Sequence, residues 1–344
     1  SPTTNHQSPT TNHQQPITNN QSPTPNPQSL ISYLCTPMNA PTQNQRAHLA
    51  LLATAFIWGL NYTISKYLLT GIFTPLQLIF LRLAGGTLCF YIFQKMFVHE
   101  KVARKDLIML ALLGVIGFGL NQTLFYEGLA FTSPVDASIL HVINPILVLI
   151  FSSLIIGERV TFRKTGGILL GSSGALLLIF YSSGLSFSGN HAFGNLMIIL
   201  NMVFYALYLV LIKPLTGKYK TATILKWVSL FGFIFIIPFS IKPALQINFA
   251  AISTGTWLLV LYVIVMNTFI AYFLVNYALE RVMPSIVSYY TYLQPFIAAA
   301  ASVTVGTGSI TWSKILAAVL IFMGVALVNS GSKKEVSEKV TEGS

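Results

Sequence analysis

Three ionisable side chains fall inside long apolar segments of the chain, at Arg82, Glu127 and His141. On insertion scales a charged group near the centre of a membrane helix costs about 2.5–3.5 kcal/mol, so each of the three needs a physical reason. Histidine titrates near neutral pH, and a desolvated carboxylate can shift toward the same range. Glu127 and His141 are therefore candidates for proton coupling, with an interfacial glutamate of no chemical role as the alternative.

Arg82 is the deepest of these groups, about 12 Å from the end of its predicted helix at a rise of ~1.5 Å per residue. One interpretation is that its guanidinium holds an anionic ligand group or Glu127. The other is that it ties helix ends together through backbone carbonyls. At the place that an internal repeat makes equivalent, the chain has Ser229 and no second basic residue.

Two proline positions carry an adjacent amide side chain, Asn144-Pro145 and Gln294-Pro295. Proline removes a helix hydrogen bond and frees a carbonyl, so Pro145 and Pro295 are predicted hinges. The neighbouring amide can contact a ligand or satisfy the freed backbone. Matching interruptions in two halves of a membrane protein are a sequence sign of a binding site at mid-membrane.

Polar and aromatic side chains inside the other apolar segments predict the lining of a cavity. Amides and phenols outnumber charges among them, which favours an amphipathic ligand, zwitterionic or aromatic. Aromatic residues at span ends, such as Trp257 and Trp312, are more typical of interfacial belts. The candidate binding residues are Trp58, Asn61, Arg82, Asn121, Tyr126, His141, Asn144, Tyr205, Tyr272, Asn276, Tyr289, Tyr292 and Gln294, with Gln122, Tyr208, Asn267 and Tyr290 also considered.

Nothing in the sequence resembles an enzyme's constellation, a metal site or a phosphate-binding loop, so no catalytic residue, metal or cofactor is predicted. Cys35 and Cys89 suit neither a disulfide framework nor a metal site. Asp136 belongs to a predicted helix-start cap that begins at Ser133. Glu158 is predicted to pair with Arg159 or Arg163. Glycines in the segment 166–174 recur at helical spacing and predict close helix packing.

The composition of the chain predicts the environment of the helices that position these side chains. The 344 residues are 53% hydrophobic and 8% charged, with a mean hydropathy of +0.67, against roughly 25% charged residues in soluble domains. A soluble shell cannot be built from so few charges, so the chain is predicted to lie in a lipid bilayer. The net charge of +11 is spread over short loops, which argues against a nucleic-acid partner.

Apolar windows of about 20 residues follow one another from Ala47, each close to the length that spans a ~30 Å hydrocarbon core. They predict ten membrane helices, at 47–69, 74–97, 107–131, 134–156, 162–181, 192–213, 221–241, 255–279, 284–305 and 311–330. Lys and Arg concentrate in the loops after even-numbered helices and in both tails, whereas the opposite side has only Lys66, Lys242 and Lys314. By the positive-inside rule both termini are predicted to be cytoplasmic.

The two halves of the chain match each other. A shift of 150 residues brings Pro134 onto Pro284 and Asn144-Pro145 onto Gln294-Pro295, and a shift of 147 brings Lys66 onto Lys213. Five helices per half require the second half to be inserted upside down. The predicted fold is an all-α integral membrane protein with repeats at 46–181 and 192–330; weak alignment of any two Leu-rich halves is the alternative.

Both ends of the chain are polar. Residues 1–45 contain no charged residue, begin with approximate seven-residue repeats, and are predicted to be disordered. Because the apolar part closely follows Met38, we expect Met38 to be the natural start of translation, which the intact mass of natively expressed protein would test. Residues 331–344 are predicted to form a cytoplasmic C-terminal tail.

Several segments together resemble the EamA-type transporters of the drug/metabolite transporter superfamily, over about residues 47–330. They are WGLNYTISK in the first helix, Arg82, GLAFTSPVDASIL running into Asn144-Pro145, and GERVTFRKTGGILLGSSGALLL. The resemblance implies a central cavity lined by helices 3, 4, 8 and 9 with help from 1 and 6. One departure is that Glu158 of the first half has no acidic counterpart in Gly306-Thr307-Gly308.

The expected function is therefore alternating-access transport, as an exporter or exchanger of small metabolites such as amino acids or amphipathic compounds. The expected location is a bacterial inner membrane. A nucleotide-sugar or sugar-phosphate carrier is one alternative, but it would need several basic residues in the cavity and only Arg82 qualifies. A non-transporting scaffold or receptor is another. The substrate, coupling ion, direction and oligomeric state stay open at this point.

Overall fold

The fold is described here from a computed structural model, which covers residues 43–181 and 190–304 and single residues between 312 and 327. Most of the predicted tail 1–45, the start at Met38, the segment Gly306-Thr307-Gly308 and the tail 331–344 lie outside the described residues. The tenth predicted helix, 311–330, is described only at helical positions between 312 and 327.

The described ranges 43–181 and 190–304 form nine long helical segments, and each begins and ends within a few residues of its predicted span. Seven of the segments, α1 to α4 and α6 to α8, are long and apolar enough to cross a membrane. The predicted all-helical membrane fold is thereby confirmed. The segments are α1 (Gln43–Leu69), α2 (Pro75–Phe97), α3 (Arg104–Phe131), α4 (134–156), α5 (Phe162–Tyr181), α6 (Asn190–Thr216), α7 (Thr221–Leu245), α8 (Thr254–Leu279) and α9 (284–304).

Side-chain caps fix several helix starts. Thr74 accepts a hydrogen bond from the backbone of Gln77, and the Gln77 side chain accepts one from the backbone of Thr74. Ser133 accepts a bond of 3.0 Å from the backbone N–H of Asp136, as the predicted cap requires. Such caps satisfy backbone donors that the first helical turn leaves without partners.

The same irregularities occur in both halves at positions that the internal repeat relates. α3 contains a π-helical segment at Val115–Leu120, and α8 contains one at Tyr262–Ile270. α4 tightens into a 3-10 turn at His141–Ile143, and α9 does so at Tyr290–Tyr292. π-Helical segments are rare and concentrate at functional sites, so their recurrence supports duplication of the halves.

The predicted prolines follow these tightened turns directly. Pro145 is the second residue of the α-helical segment that resumes at Asn144, and Pro295 is the third residue of the segment that resumes at Leu293. At the start of a helical segment the missing N–H of proline costs no intrahelical bond. Each helix is thus interrupted just before its proline.

Two lysines cap equivalent helix ends. Lys66 Nζ donates to the carbonyls of Leu129, Ala130 and Thr132 at the end of α3, at 2.8–3.0 Å. Lys213 Nζ donates to the carbonyls of Leu279 and Val282 at the end of α8. A lysine near a helix C-terminus satisfies carbonyls that lack partners and complements the helix dipole.

Small residues let the helices cross at short range. A Cβ added to Gly128 of α3 would lie 2.9 Å from the carbonyl oxygen of Gly194 in α6. Gly114 of α3 lies equally close to α7, because a Cβ added to it would lie 2.6 Å from the carbonyl oxygen of Val228. Gly171, one of the glycines expected to pack closely, lies against the ring of Tyr292. No side chain fits at these crossings without a shift of backbone or ring.

The loop between α6 and α7 is tied to the start of α3. Lys218 forms an ion pair with Asp106, and Tyr219 donates a hydrogen bond of 2.7 Å to the same carboxylate. The hydrogen bond and charge of Asp106 raise the pKa of the exposed Lys218 ammonium. Ion pairs this exposed add little stability, so the loop is oriented by the pair more than stabilised by it.

We predict that Lys66→Met and Lys213→Met each lower the thermal stability of the purified protein in detergent. Each change removes charged hydrogen bonds worth roughly 1–2 kcal/mol and leaves helix-end carbonyls without a donor. Lys95→Met is the matched control, because Lys95 is exposed and the described bond that caps the end of α2 runs from the Val98 N–H to the Gln94 carbonyl. Melting temperatures of Lys66→Met and Lys213→Met equal to that of the control would contradict the capping role.

Candidate functional site

A cavity lies between the helices, near the middle of most of those that line it. It encloses about 450 Å³ between protein atoms, counting the part that is open at its mouth. Small-molecule sites combine an apolar lining with a few convergent polar groups. The lining residues are Trp58, Asn61, Tyr62, Arg82, Asn121, Gln122, Phe125, His141, Asn201, Met202, Tyr205, Asn267, Tyr272, Thr291 and Gln294.

Hydrogen bonds across the cavity join the first half of the chain to the second. Tyr62 OH of α1 donates to Gln294 Oε1 of α9 at 2.9 Å. Trp58 Nε1 donates to the carbonyl of Asn267 in α8 at 3.3 Å. Gln122 Nε2 of α3 donates to the hydroxyl of Tyr272 in α8. The cavity therefore lies on the interface of the two halves.

Asn121 and Asn201 form a reciprocal pair between α3 and α6. The side-chain Nδ2 of Asn121 donates to the backbone carbonyl of Asn201 at 2.8 Å, and the side-chain Nδ2 of Asn201 donates to the backbone carbonyl of Asn121 at 2.7 Å. Asn121 follows the π-helical segment of α3, where the wider helical turn alters the backbone pattern. The pair fixes the two helices at the depth of the cavity.

Aromatic rings form one wall. The Trp58 ring lies edge-on to Tyr205 and Tyr272, with centroids 5.7 and 5.6 Å apart. The hydroxyl of Tyr205 and both side-chain polar atoms of Asn267 are buried without a hydrogen-bond partner among the described residues. Buried polar groups are normally paired, so these atoms are available to a ligand or to water.

Arg82 is the cationic residue of the described wall and is only 3% exposed. Its Nε donates to Thr268 Oγ1 at 2.8 Å and its Nη1 to Tyr126 OH at 3.1 Å. Its guanidinium carbon also lies 5.5 Å from the centre of the Tyr126 ring. No hydrogen bond of Arg82 to Glu127 or to a helix-end carbonyl is among the described contacts. Hydroxyl groups orient the guanidinium instead, and the interpretation that it holds an anionic ligand group stays a prediction.

His141 lines the cavity. Its Nδ1 lies 2.7 Å from the carbonyl oxygen of Ala137. A carbonyl only accepts, so Nδ1 carries a proton. Tyr62 and Phe125 pack edge-on against the ring. Glu127 is partly exposed outside the cavity lining, and no hydrogen bond joins it to His141 among the described contacts.

Eight predicted binding residues line the cavity: Trp58, Asn61, Arg82, Asn121, His141, Tyr205, Tyr272 and Gln294. The other five lie close to it or against neighbouring helices. Tyr126 holds Arg82, and Asn276 donates to Tyr208 OH at 3.2 Å. Tyr292 shares a hydrogen bond of 2.9 Å with Ser172 of α5. Asn144 and Tyr289 are buried outside the lining.

The candidate set omitted Tyr62, Phe125, Asn201, Met202 and Thr291, although all five line the cavity. Helical spacing would have found them. Tyr62 follows Trp58 by four residues, and Phe125 follows Asn121 by four. Asn201 and Met202 precede Tyr205 by four and three residues, and Thr291 precedes Gln294 by three. Residues at these spacings share a helix face.

A buried polar cluster joins the end of α4 to the start of α9. Glu158 accepts hydrogen bonds from Ser152 and from Ser285, and Lys164 Nζ lies 3.2 Å from its Oε1. The Glu158 and Lys164 side chains are almost fully buried. The sequence predicts Arg159 or Arg163 as the partner of Glu158, whereas its ion pair among the described residues is with Lys164.

A helical membrane bundle with a polar cavity between its two halves is the architecture of a membrane transporter. The chain belongs to the EamA-like transporter family, whose pattern matches residues 45–180 and 192–330. The predicted resemblance is confirmed, and the family is one of transporters and not of enzymes. The chain also aligns with a known crystal structure at a TM-score of 0.67 and 18% identity, over 84% of this chain and 98% of the other, which supports the fold.

Relatives include both uncharacterized and named transporters. The uncharacterized transporter YyaM of Bacillus subtilis is 27% identical over 81% of this chain and 92% of its own length. The pseudopaline exporter CntI of Pseudomonas aeruginosa is 28% identical over 73% of this chain and 83% of its own. A probable terminal-alkyne amino-acid exporter of Streptantibioticus cattleyicolor is 24% identical over 56% of this chain and 63% of its own.

We predict opposite effects for two phenol deletions in the cavity. Tyr62→Phe removes the hydrogen bond to Gln294 and lowers stability by about 0.5–1.5 kcal/mol. Tyr205→Phe removes a hydroxyl without a described partner and leaves stability unchanged or raised. Thermal melts of both variants without ligand make the comparison, and each is the control for the other. A larger loss in Tyr205→Phe would show that its hydroxyl is already satisfied.

Proposed function

We propose that this protein moves small amphipathic metabolites, amino acids among them, across the membrane by alternating access through the central cavity. The observation that carries the proposal is the position of the cavity on the interface of the two halves, with hydrogen bonds crossing it. A site between two halves becomes accessible from alternate sides when the halves rock against each other. The direction we propose is export or exchange, in line with the named relatives.

The topology that we propose has ten membrane helices in two inverted repeats, at 46–181 and 192–330. The repeated π-helical segments, 3-10 turns and helix-capping lysines support the duplication. Lys66 caps the end of α3 and Lys213 that of α8, and five-helix repeats put these ends on opposite membrane faces. The basic loops favour a cytoplasmic side for both tails, in a bacterial inner membrane.

The cluster around Glu158 is a candidate gate within this proposal. It joins α4 of the first half to α9 of the second at the ends that the basic loops assign to the cytoplasm. The cluster must separate for the halves to part at that end. Pro145 and Pro295, which follow the interruptions of the same two helices, are the proposed hinges.

The charge of the cavity argues against a nucleotide-sugar or sugar-phosphate carrier. A phosphate ester carries close to two negative charges at neutral pH, and sites for such groups gather several cations. The described lining has Arg82 as its cation and no acidic residue. A single guanidinium suits one negative charge better than a phosphate or diphosphate.

A transport assay tests the function. Protein in liposomes that are loaded with unlabelled amino acids should accumulate the matching labelled amino acid by exchange. Asn267→Leu should reduce the initial rate by about tenfold, equivalent to ~1.4 kcal/mol of lost binding, because it replaces a polar amide of the cavity by an apolar group of the same branching while removing no described side-chain hydrogen bond. Phe239→Leu, on the exposed outer surface, is the matched control. Exchange that proceeds equally in Asn267→Leu would argue against this cavity as the route.

A second prediction concerns the gate. Glu158→Gln removes the buried ion pair with Lys164 and should increase exposure of the cavity to the cytoplasmic side. A reporter Met202→Cys, in protein with Cys35→Ser and Cys89→Ser, should then react several-fold faster with an impermeant maleimide in inside-out vesicles. Glu280→Gln, which removes a more exposed ion pair with Arg281, is the control. Equal reaction rates in both variants would exclude Glu158 as a gate.

A further inference from the structure

We infer that Arg82 and Tyr272 form a subsite for the carboxylate of a substrate with a single carboxylate group, and this inference rests on the proposed transport function. Arg82 is the starting point because it is a buried cation without a counter-ion. None of the ion pairs described in the structure includes it. Removing a cation from water costs several kcal/mol unless an opposite charge compensates. A substrate carboxylate in the cavity supplies that charge.

The neighbours of Arg82 orient its guanidinium and leave part of it unused. The Thr268 hydroxyl donates to the carbonyl of Val263 at 2.7 Å, so its oxygen is free to accept from Arg82 Nε. Tyr126 accepts from Nη1. Tyr272 is a third hydrogen-bond partner of the guanidinium. A guanidinium has five N–H donors, so Arg82 is held by three hydroxyl groups and retains N–H groups for a ligand.

The π-helical segment of α8 explains how Thr268 reaches this position. Val263 and Thr268 are five residues apart within Tyr262–Ile270, so the hydroxyl bond spans one turn of the wider helix. Asn267, next in the chain, lines the cavity with an amide that has no described partner. One backbone irregularity therefore supplies both an anchor for Arg82 and a free polar group.

Tyr272 adds a second donor. Its oxygen accepts hydrogen bonds from the Gln122 amide and the Arg82 guanidinium, and no described atom accepts the proton of its hydroxyl. Both Tyr272 and Arg82 line the cavity. A carboxylate has two oxygens, so it can accept from the guanidinium and the phenol together, and bonds to a charged acceptor are about twice as strong as neutral ones.

The rest of the cavity defines the remainder of the substrate. Trp58 and Tyr205 present aromatic surface, and Asn267 and Gln294 present amides. Aromatic faces and amide oxygens attract an ammonium group or pack against an apolar side chain. The described lining offers no second cation. The chemical class is therefore a small monocarboxylate with an ammonium or apolar group, which includes amino acids and excludes phosphate esters.

The test compares carboxylates with their neutral-carbonyl analogues. Binding to detergent-purified protein at pH 7 is measured by calorimetry for alanine, leucine, phenylalanine and lysine, each beside its amide, and for 3-phenylpropionate beside its amide. At least one acid should bind roughly tenfold or more tightly than its amide. Arg82→Gln should remove that preference and leave the affinity for the amide within about twofold of its original value.

Two further variants separate binding from folding. Thr268→Val removes one anchor of Arg82 but keeps the guanidinium, so it reports the loss that comes from structure alone. Tyr272→Phe keeps the ring and removes the phenol, both as a donor and as the acceptor for Gln122; it should reduce acid affinity several-fold and amide affinity by much less. If Arg82→Gln fails to fold, as judged by gel filtration and melting, Tyr272→Phe carries the test.

The outcomes distinguish the inference from the function on which it rests. Equal binding of acids and amides by the original protein, together with transport, would overturn the carboxylate subsite and keep the transporter. An acid preference that survives both Arg82→Gln and Tyr272→Phe would also overturn it. Absence of binding and of transport for the whole panel would overturn the proposed function itself.

Discussion

In a bilayer the polar backbone must find its partners inside the protein, and this constraint governs the structure. A straight helix satisfies it without help, but a helix that is interrupted to make room for a ligand does not. The side chains of Lys66 and Lys213 therefore donate hydrogen bonds to backbone carbonyls at the ends of α3 and α8. Within α8 the hydroxyl of Thr268 donates a hydrogen bond to the backbone carbonyl of Val263. Side chains from elsewhere in the chain replace the bonds that a regular helix would make.

The same constraint places the cavity between the two halves. Hydrogen bonds from Tyr62, Trp58 and Arg82 each run from the first half to α8 or α9 of the second. Such contacts hold the halves in one arrangement and are lost or exchanged when the halves move. A ligand that enters the cavity competes for the same groups, so its binding can be coupled to movement of the halves.

The two halves are similar in backbone but differ in charge. Arg82 has Ser229 at the repeat-related position, and Glu158 has Gly308. The described cavity lining has Arg82 as its cation, and the buried Glu158 has no acidic counterpart at the repeat-related position, so the two halves are chemically asymmetric. Rocking would then exchange a state closed by an ion pair for a state closed by other contacts, and the two need not have equal energies. Direction of transport can originate in such an asymmetry.

Much of this was accessible from sequence, and the rest depended on tertiary contacts. Apolar length and capping residues predicted the helices, because each helix of a bilayer protein must satisfy its own backbone. Amides within apolar runs predicted Asn121 and Gln294 as cavity residues. The pairing of Asn121 with Asn201 could not be predicted, since it depends on which helices are neighbours. The partners of Arg82 were missed for the same reason: Thr268 is 186 residues away in the chain.

Arg82 connects these points. It belongs to α2, yet it is anchored by Tyr126 of the same half and by Thr268 of the other half. If the halves rotate against each other, the two anchors separate, and the guanidinium must lose one of them. In the proposed subsite, a bound carboxylate would compensate the charge while an anchor is lost, whereas an empty cavity would leave a buried cation partly unsatisfied. The energetic cost of changing state is then lower with substrate than without it, which is what a carrier needs in order to move only when loaded.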